Sequence, residues 1–148
     1  MLEGAAKIFG VFTDSREAMD TRFLDTLPPA LFLHHIFPPS TVPPNRAKFM
    51  LFKIVVGEEE KLILRTIPGY LGHRNIVQSL EVELRDRSLT GYVVEQQRGG
   101  WMIASPLLKK IIIGGTSFEF GSADHVQARE LLQAALSDYE ITIDYHLK

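Results

Sequence analysis

Apolar and polar positions alternate in short runs from Phe49 onward, which is the pattern of β-strands. Residues 49–56 and 61–66 are rich in β-branched and large apolar side chains, and a polar turn at residues 57–60 separates them. Two such runs on either side of a short turn predict a β-hairpin. Residues 92–97 and 101–105 are strand candidates around Gly99 and Gly100. The apolar run 109–115 suits the centre of a sheet, and residues 139–147 alternate as a last strand.

Two segments have apolar residues at the three- and four-residue spacing of an amphipathic helix. Asn75 can cap the first, with Gly91 as its stop, and Ser122 can cap the second. The apolar faces consist of Ile76, Val77, Leu80 and Leu84 in the first helix and of Val126, Leu131, Leu132 and Ala135 in the second. The order of elements is typical of an α/β or α+β domain, so we expect a small mixed β-sheet flanked by two helices.

An extended, proline-rich arm precedes this pattern. Six of the eight prolines form three pairs between residues 28 and 44, so residues 27–46 cannot be a helix, because proline removes a backbone donor and keeps the preceding residue extended. We predict an arm over residues 1–46 and a domain over residues 47–148. The arm has too many large apolar groups for a solvated linker, among them Phe9, Phe12, Phe23, Phe32 and Phe37. Either it folds back on its own domain, or it lies along another protein. We expect the domain not to need the arm for its core.

Composition removes several classes of function. The net charge of −2 is spread over mixed acidic and basic residues, so no basic stripe or acidic block indicates nucleic acid or lipid as a partner. The chain has no cysteine, which excludes disulfides, thiolate zinc sites and thiol nucleophiles. No apolar run is long enough for a membrane span, and no secretory signal is present. We expect an intracellular protein, in the cytoplasm or in an organelle such as the mitochondrial matrix.

The five histidines, taken alone, say little about function. His34 and His35 lie in the arm, His146 lies near the C-terminus, and His125 is expected to be a surface or interfacial group. No spacing of histidines or carboxylates predicts a metal site. His73 stands in a glycine-flanked loop, and such a loop can direct an imidazole into a cleft.

The C-terminal half carries a spaced set of motifs. They are Gly99-Gly100-x-Met102, Lys109-Lys110-Ile111, Gly115-x-Ser117-x-x-Phe120-Gly121-x-Ala123-x-His125 and Asp138-Tyr139-Glu140-Ile141-Thr142. This set resembles the C-terminal half of the protein histidine phosphatase (Janus/Ocnus) family. Upstream, Phe52-Lys53 and Arg65, followed by His73 and then by Asn75-Ile76, are similar to the first half of that family. The resemblance covers about residues 49–146 and does not include the arm.

The resemblance implies a domain that hydrolyses phosphohistidine, and less specifically other phosphoramidates such as phospholysine, with neither metal nor nucleotide cofactor. The family residue that matches His73 is the general base or acid that handles the attacking water. Lys53 and Arg65 match basic residues near the pocket, and Ser117 matches a serine on the phosphate side. These residue types suit the chemistry, because imidazole titrates near neutral pH and cations stabilise the charge on the phosphoryl oxygens.

Two positions depart from the family pattern. Trp101 stands where the family has an arginine, so a bidentate cation is missing. Glu119 stands where the family has a small residue, two positions after Ser117. Alternation along a strand would place Ser117 and Glu119 on one face, from which the carboxylate would repel a phosphoryl dianion.

These departures leave more than one hypothesis for the function. The one they favour is a non-catalytic or weakly active accessory subunit of a larger protein assembly, tethered to its other proteins by the arm. The alternative is an active, metal-independent phosphohistidine phosphatase that uses His73 as general acid/base on a phosphohistidine protein. A binder of phosphorylated or acidic peptides is a third reading.

Overall fold

Six strands form one mixed β-sheet in the computed structural model, which describes residue 24, residues 27–31 and residues 45–148. Their order across the sheet is β1-β3-β2-β4-β5-β6. The pairs β1–β3 and β5–β6 are parallel, and the three other pairs are antiparallel. The five longer strands make up the main sheet, and β1 extends it by two residues. The strands are β1 (Ala30–Leu31), β2 (Asn45–Val56), β3 (Glu59–Pro68), β4 (Tyr92–Ser105), β5 (Lys110–Gly114) and β6 (Glu140–Asp144).

Helices α1 (His73–Asp86) and α2 (His125–Ala135) cover opposite faces of the sheet. Helix α1 contacts β2 and β3, while α2 contacts β5, β6 and β3. Successive residues of a strand point to opposite faces, so β2 supplies Phe49 and Leu51 to the core under α2 and Met50 and Phe52 to the core under α1. The predicted fold class, a small mixed sheet flanked by two helices, is confirmed.

The hairpin is confirmed, and both of its strands are longer than predicted. The turn consists of Gly57 and Glu58, and Gly57 has φ +60°, a conformation that glycine adopts without a steric penalty. Strand β2 begins at Asn45, directly after a proline pair. Its first two residues, Asn45 and Arg46, pair through their backbones with β4, and from Ala47 onward β2 pairs with both β3 and β4, a contribution that side-chain patterning does not reveal.

The helix boundaries differ from the predicted ones. Gly72 is the N-cap of α1, and Asn75 Oδ1 accepts the backbone N–H of Gly72, so Asn75 acts from inside the helix. At the other end the chain leaves the helix at Ser88, which has φ +58°, three residues before the predicted stop at Gly91, whose φ is +71°. Helix α2 is capped by Asp124, whose carboxylate accepts the N–H groups of the two residues that follow His125.

The two strand candidates around Gly99 and Gly100 are one continuous strand, β4. The glycines therefore do not form a turn. Strand β5 lies between β4 and the edge strand β6, so it is an inner strand one position from the edge.

The described part of the arm packs on the domain. Leu24 and Leu27 are buried in the core under α1, and Ala30–Leu31 pairs with β3. The expectation that the domain does not need the arm for its core is therefore wrong for these residues. The five phenylalanines of the arm and His34 and His35 lie outside the described residues, and the boundary at residues 46 and 47 stays a prediction. No helix within the described ranges is long and apolar enough to cross a membrane.

Candidate functional site

His73 is the first residue of α1, and its imidazole is buried against the glycine pair of β4. Its Nε2 lies 2.9 Å from the carbonyl oxygen of Gly100. A carbonyl oxygen only accepts, so Nε2 carries the proton and Nδ1 keeps a lone pair in the neutral ring. The side chain is 8% exposed. The backbone thus fixes both the ring orientation and the tautomer.

The surroundings of His73 favour its neutral form. Burial lowers the pKa of the imidazole below its ordinary value of 6.5, and the positive charge of Lys48 lowers it further. The hydrogen bond to Gly100 acts in the opposite direction but does not outweigh burial. A neutral imidazole with a free lone pair is the form that accepts a proton in general base catalysis.

Gly99 permits the close packing of His73 on β4. A Cβ atom at Gly99 would lie 2.7 Å from His73 Cδ2 and 3.0 Å from Nε2. Real Cβ atoms do not approach other atoms this closely, so any side chain at this position displaces the imidazole. The glycine that resembles the family motif therefore has a direct role in placing the ring.

Lys48, which the sequence analysis did not select, supplies the cation beside His73. Its Nζ donates to the carbonyl oxygen of Leu71 at 2.6 Å, in the loop that precedes His73. Its Nζ also lies 4.8 Å from the centroid of the Trp101 ring, and that ring makes an edge contact with the His73 imidazole. The signal available in the sequence was the strand period, since Lys48 lies on the same face of β2 as Met50.

Lys53 lies on the other face of the sheet. It differs from Lys48 by an odd number of positions along β2, and its neighbours across the sheet are Leu62 and Gln96. Its Nζ lies 3.5 Å from carboxylate oxygens of both Glu60 and Glu95. The structure therefore does not bring Lys53 and His73 together.

Arg65 shares the face of His73 but lies at the far end of α1. Its Nε and Nη2 donate to the two carboxylate oxygens of Glu83 at 2.8 and 2.7 Å. Its Nη1 donates to the carbonyl oxygens of Pro28 and Leu64. Since a helix rises about 1.5 Å per residue, Glu83 lies about 15 Å along the axis from His73. Arg65 is thus bonded within the core, away from the imidazole.

Ser117 lies in a tight turn that packs against the glycine pair. Its Oγ accepts the backbone N–H of Phe120 at 3.1 Å, and its backbone pairs with Gly121. Gly121 in turn accepts the N–H of Gly99 at 2.9 Å. The turn therefore borders the His73 site. Strand alternation does not apply to it, so Ser117 is buried while Glu119 is exposed.

Glu119 is paired with a cation. Arg74, the residue after His73, donates from Nη2 to Glu119 Oε2. The pair joins the start of α1 to the turn at residues 117–121. The charge that was expected to repel a phosphoryl group is therefore balanced by Arg74.

His125 is buried, so the expectation of a surface or interfacial group is wrong. Its Nε2 lies 2.9 Å from the carbonyl oxygen of Gly115, and the ring makes edge contacts with Phe49 and Tyr145. Phe49 belongs to the core under α2, so His125 and His73 lie on opposite faces of the sheet. His146 is exposed. Among the residues that the structure describes, no three histidines or carboxylates are placed to hold a metal ion.

Comparison with known proteins gives a family and two relatives. The model of the Janus/Ocnus family matches residues 36–140. The sex-regulated janus-B proteins of Drosophila sechellia and Drosophila simulans are each 37% identical to this chain over 73 residues. This alignment covers 48% of the chain and 50% of each relative, so the chain spans about half the length of the curated relatives that it matches.

Proposed function

Because the chain belongs to the Janus/Ocnus family, we propose that it binds the phosphoryl group of phosphohistidine proteins at His73 and hydrolyses it. The single observation that carries this proposal is the state of His73. The ring is held by Gly100 through Nε2, its pKa is lowered, and Nδ1 is left with the lone pair. These are the properties of a general base that acts near neutral pH.

The reaction requires only groups that the chain supplies. Water attacks the phosphorus and gives a proton to Nδ1 of His73, while the bond between phosphorus and the imidazole nitrogen of the substrate breaks. The leaving nitrogen takes back a proton from His73, and the products are inorganic phosphate and histidine. Lys48 and Arg46 lie over the ring of Trp101, which contacts His73, and we assign to their positive charges the stabilisation of the phosphoryl oxygens.

The paired state of Glu119 also supports an active site. Repulsion of a phosphoryl dianion requires an unbalanced negative charge, and Arg74 supplies the balancing cation. The second departure, Trp101, remains in favour of the accessory-subunit hypothesis, because an indole has one N–H donor and no charge. The accessory subunit is therefore the second candidate, and the arm-mediated contacts that it requires involve residues outside the described ranges.

The decisive experiment is a turnover assay with the full chain and a protein phosphorylated on histidine, in the presence of a metal chelator. We expect the native chain to release phosphate and His73→Ala to release none. His146→Ala is the matched control, since His146 is exposed and distant in sequence from the site, and it should keep the native rate. An equal rate for His73→Ala would exclude the proposed role of His73. Phosphate binding without release by the native chain would favour a binder of phosphorylated peptides, and neither binding nor release would favour the accessory subunit.

A further inference from the structure

Trp101 has two cations over its ring. Arg46 Cζ lies 4.6 Å and Lys48 Nζ 4.8 Å from the ring centroid. Both distances are within the range of about 6 Å in which a cation is attracted by the negative face of an aromatic ring. The indole, which contacts His73, therefore interacts favourably with two positive groups.

The strand register explains why these three side chains meet. Lys48 is opposite Trp101 in the β2–β4 pair, and Arg46 is opposite Ile103. Residues two apart on a strand share a face, so Arg46, Lys48 and Trp101 point to the same side of the sheet. His73 touches Trp101 from this side. The arrangement is thus a property of the sheet and not of a loose surface contact.

The two cations differ in how they are held. Lys48 has a second anchor, its 2.6 Å hydrogen bond to Leu71. Within the described ranges, neither Lys48 nor Arg46 forms an ion pair with a carboxylate. Arg46 is exposed, and a long exposed side chain is mobile unless a neighbour holds it. Trp101 is that neighbour.

We propose that Arg46 is a phosphoryl-binding residue of the site and that Trp101 is the residue that positions it. The guanidinium supplied by β2 takes the place of the arginine that the family resemblance leads one to expect at position 101. A guanidinium binds two phosphoryl oxygens through parallel N–H groups, which restores the bidentate contact that an indole cannot make. The nature of the ligand rests on the proposed function, whereas the contact between Trp101 and Arg46 does not.

The first test needs no ligand. In the NMR spectrum of the full chain, the Arg46 Hδ protons should be shifted upfield by the ring current of Trp101. The shift should disappear in Trp101→Ala and persist in Trp101→Phe, which keeps an aromatic face. An Arg46 shift that is equal in the native chain and in Trp101→Ala would overturn the positioning role.

The second test is a double-mutant cycle with inorganic phosphate as the probe, measured by NMR titration at low salt. Arg46→Met should weaken phosphate binding by about tenfold, as expected for the loss of a charged hydrogen bond. Trp101→Ala should weaken it as well, and the double variant should be little weaker than Arg46→Met alone, because both changes remove the same contact. Ile103→Ala is the matched control on the same face of β4 and should bind phosphate as the native chain does.

The outcomes separate this proposal from the proposed function. Additive losses of phosphate affinity in Arg46→Met and Trp101→Ala would overturn the positioning of Arg46 by Trp101. Phosphate binding at the native affinity in Arg46→Met would overturn it as well. Phosphate binding with the expected coupling but without turnover would overturn the hydrolytic function and leave the Arg46 site standing. No phosphate binding by the native chain would overturn both.

Discussion

The Nε2 atom of His73 is 2.9 Å from the carbonyl oxygen of Gly100, and this hydrogen bond connects the first turn of α1 to the middle of β4. The bond assigns the proton to Nε2 and the lone pair to Nδ1. Gly99 gives the imidazole room on this face of the strand, and Gly100 gives room to the Phe49 ring on the other face. A strand carbonyl at a glycine is accessible to a side chain packed directly on the backbone.

The two lysines of β2 form a matched pair for a test of the site. We expect Lys48→Met to lower phosphohistidine turnover by about a hundredfold, the usual loss when one group that stabilises developing charge is removed. It should also raise the pKa of His73, because the Lys48 charge lowers it. Lys53→Met should leave both quantities unchanged, since Lys53 lies on the opposite face. Turnover assays would measure the rate, and NMR titration would measure the pKa of His73. A larger effect of Lys53→Met than of Lys48→Met on either quantity would show that Lys53, and not Lys48, acts at the site.

Stability should depend on pH through His73. The pKa of this imidazole is lower in the folded chain than in the unfolded chain, so between the two values the unfolded chain binds more protons. The free energy of unfolding is then highest above about pH 6.5 and decreases as the pH falls toward the folded pKa. Urea unfolding between about pH 8 and pH 5 should show a steeper loss for the native chain than for His73→Asn. An equal pH dependence of the free energy of unfolding in the native chain and in His73→Asn would contradict this prediction.

Arg65 should matter for folding and not for catalysis. Arg65→Met leaves the carboxylate of Glu83 in a mostly buried position without its main partner, which costs about 3–5 kcal/mol. Adding Glu83→Met should recover part of this loss. Chemical denaturation gives the stabilities, and turnover per folded molecule should stay at the native value. A lower turnover in a stable Arg65→Met chain would show that Arg65 contributes to the catalytic site.

Gly99→Ala should displace His73. The new methyl group would lie within 3.0 Å of two ring atoms and of the Phe49 carbonyl oxygen, and overpacking of this kind costs about 1–3 kcal/mol. We expect turnover to be lost in a chain that still folds. Gly72→Ala is the control, because its nearest neighbour would be 3.7 Å away and its backbone φ is −88°. Equal turnover in the two variants would mean that the ring position does not depend on Gly99.

Leu27 tests whether the arm contributes to the core. It is 1% exposed, so Leu27→Ala should lower the free energy of unfolding by about 2–5 kcal/mol. Leu108→Ala is the matched control, with a side chain that is 69% exposed, and it should change stability by at most about 0.5 kcal/mol. A Leu27→Ala chain as stable as the native chain would show that the domain does not depend on this part of the arm.

Much of the fold was predictable because hydrophobic periodicity survives in the sequence. The hairpin, α1 and the inner strand β5 bury regular stripes of apolar residues, whereas α2 buries His125, Ala128 and Leu132 and leaves Val126 and Ala135 of its predicted face exposed. The errors lie where the backbone, and not the side chains, forms the contact. The polar first residues of β2, Asn45 and Arg46, pair with β4 through their backbones, and the chain leaves α1 at a left-handed Ser88, three residues before Gly91.

The site was predictable only in part. His73 and the glycine pair were selected through the family resemblance, and the structure places them in contact. Lys53 was selected over Lys48 because a motif match does not show which face of a strand a residue occupies. Arg65 could not be assigned correctly, because its partner Glu83 comes from another element and adjoins it only after folding. The balance of Glu119 by Arg74 depends in the same way on a contact between distant segments.

The last strand, β6, influences how copies of the chain meet one another. It ends the sheet beside β5, is five residues long and carries Glu140 and Asp144 as exposed carboxylates. An edge strand with unpaired backbone groups is a template for a strand of another molecule, and short charged edges suppress such pairing. At this end of the sheet, the short length of the strand and the cost of desolvating its two carboxylates therefore oppose the growth of intermolecular β-sheets. Neutralising both carboxylates would promote aggregation even in a chain whose fold is unchanged.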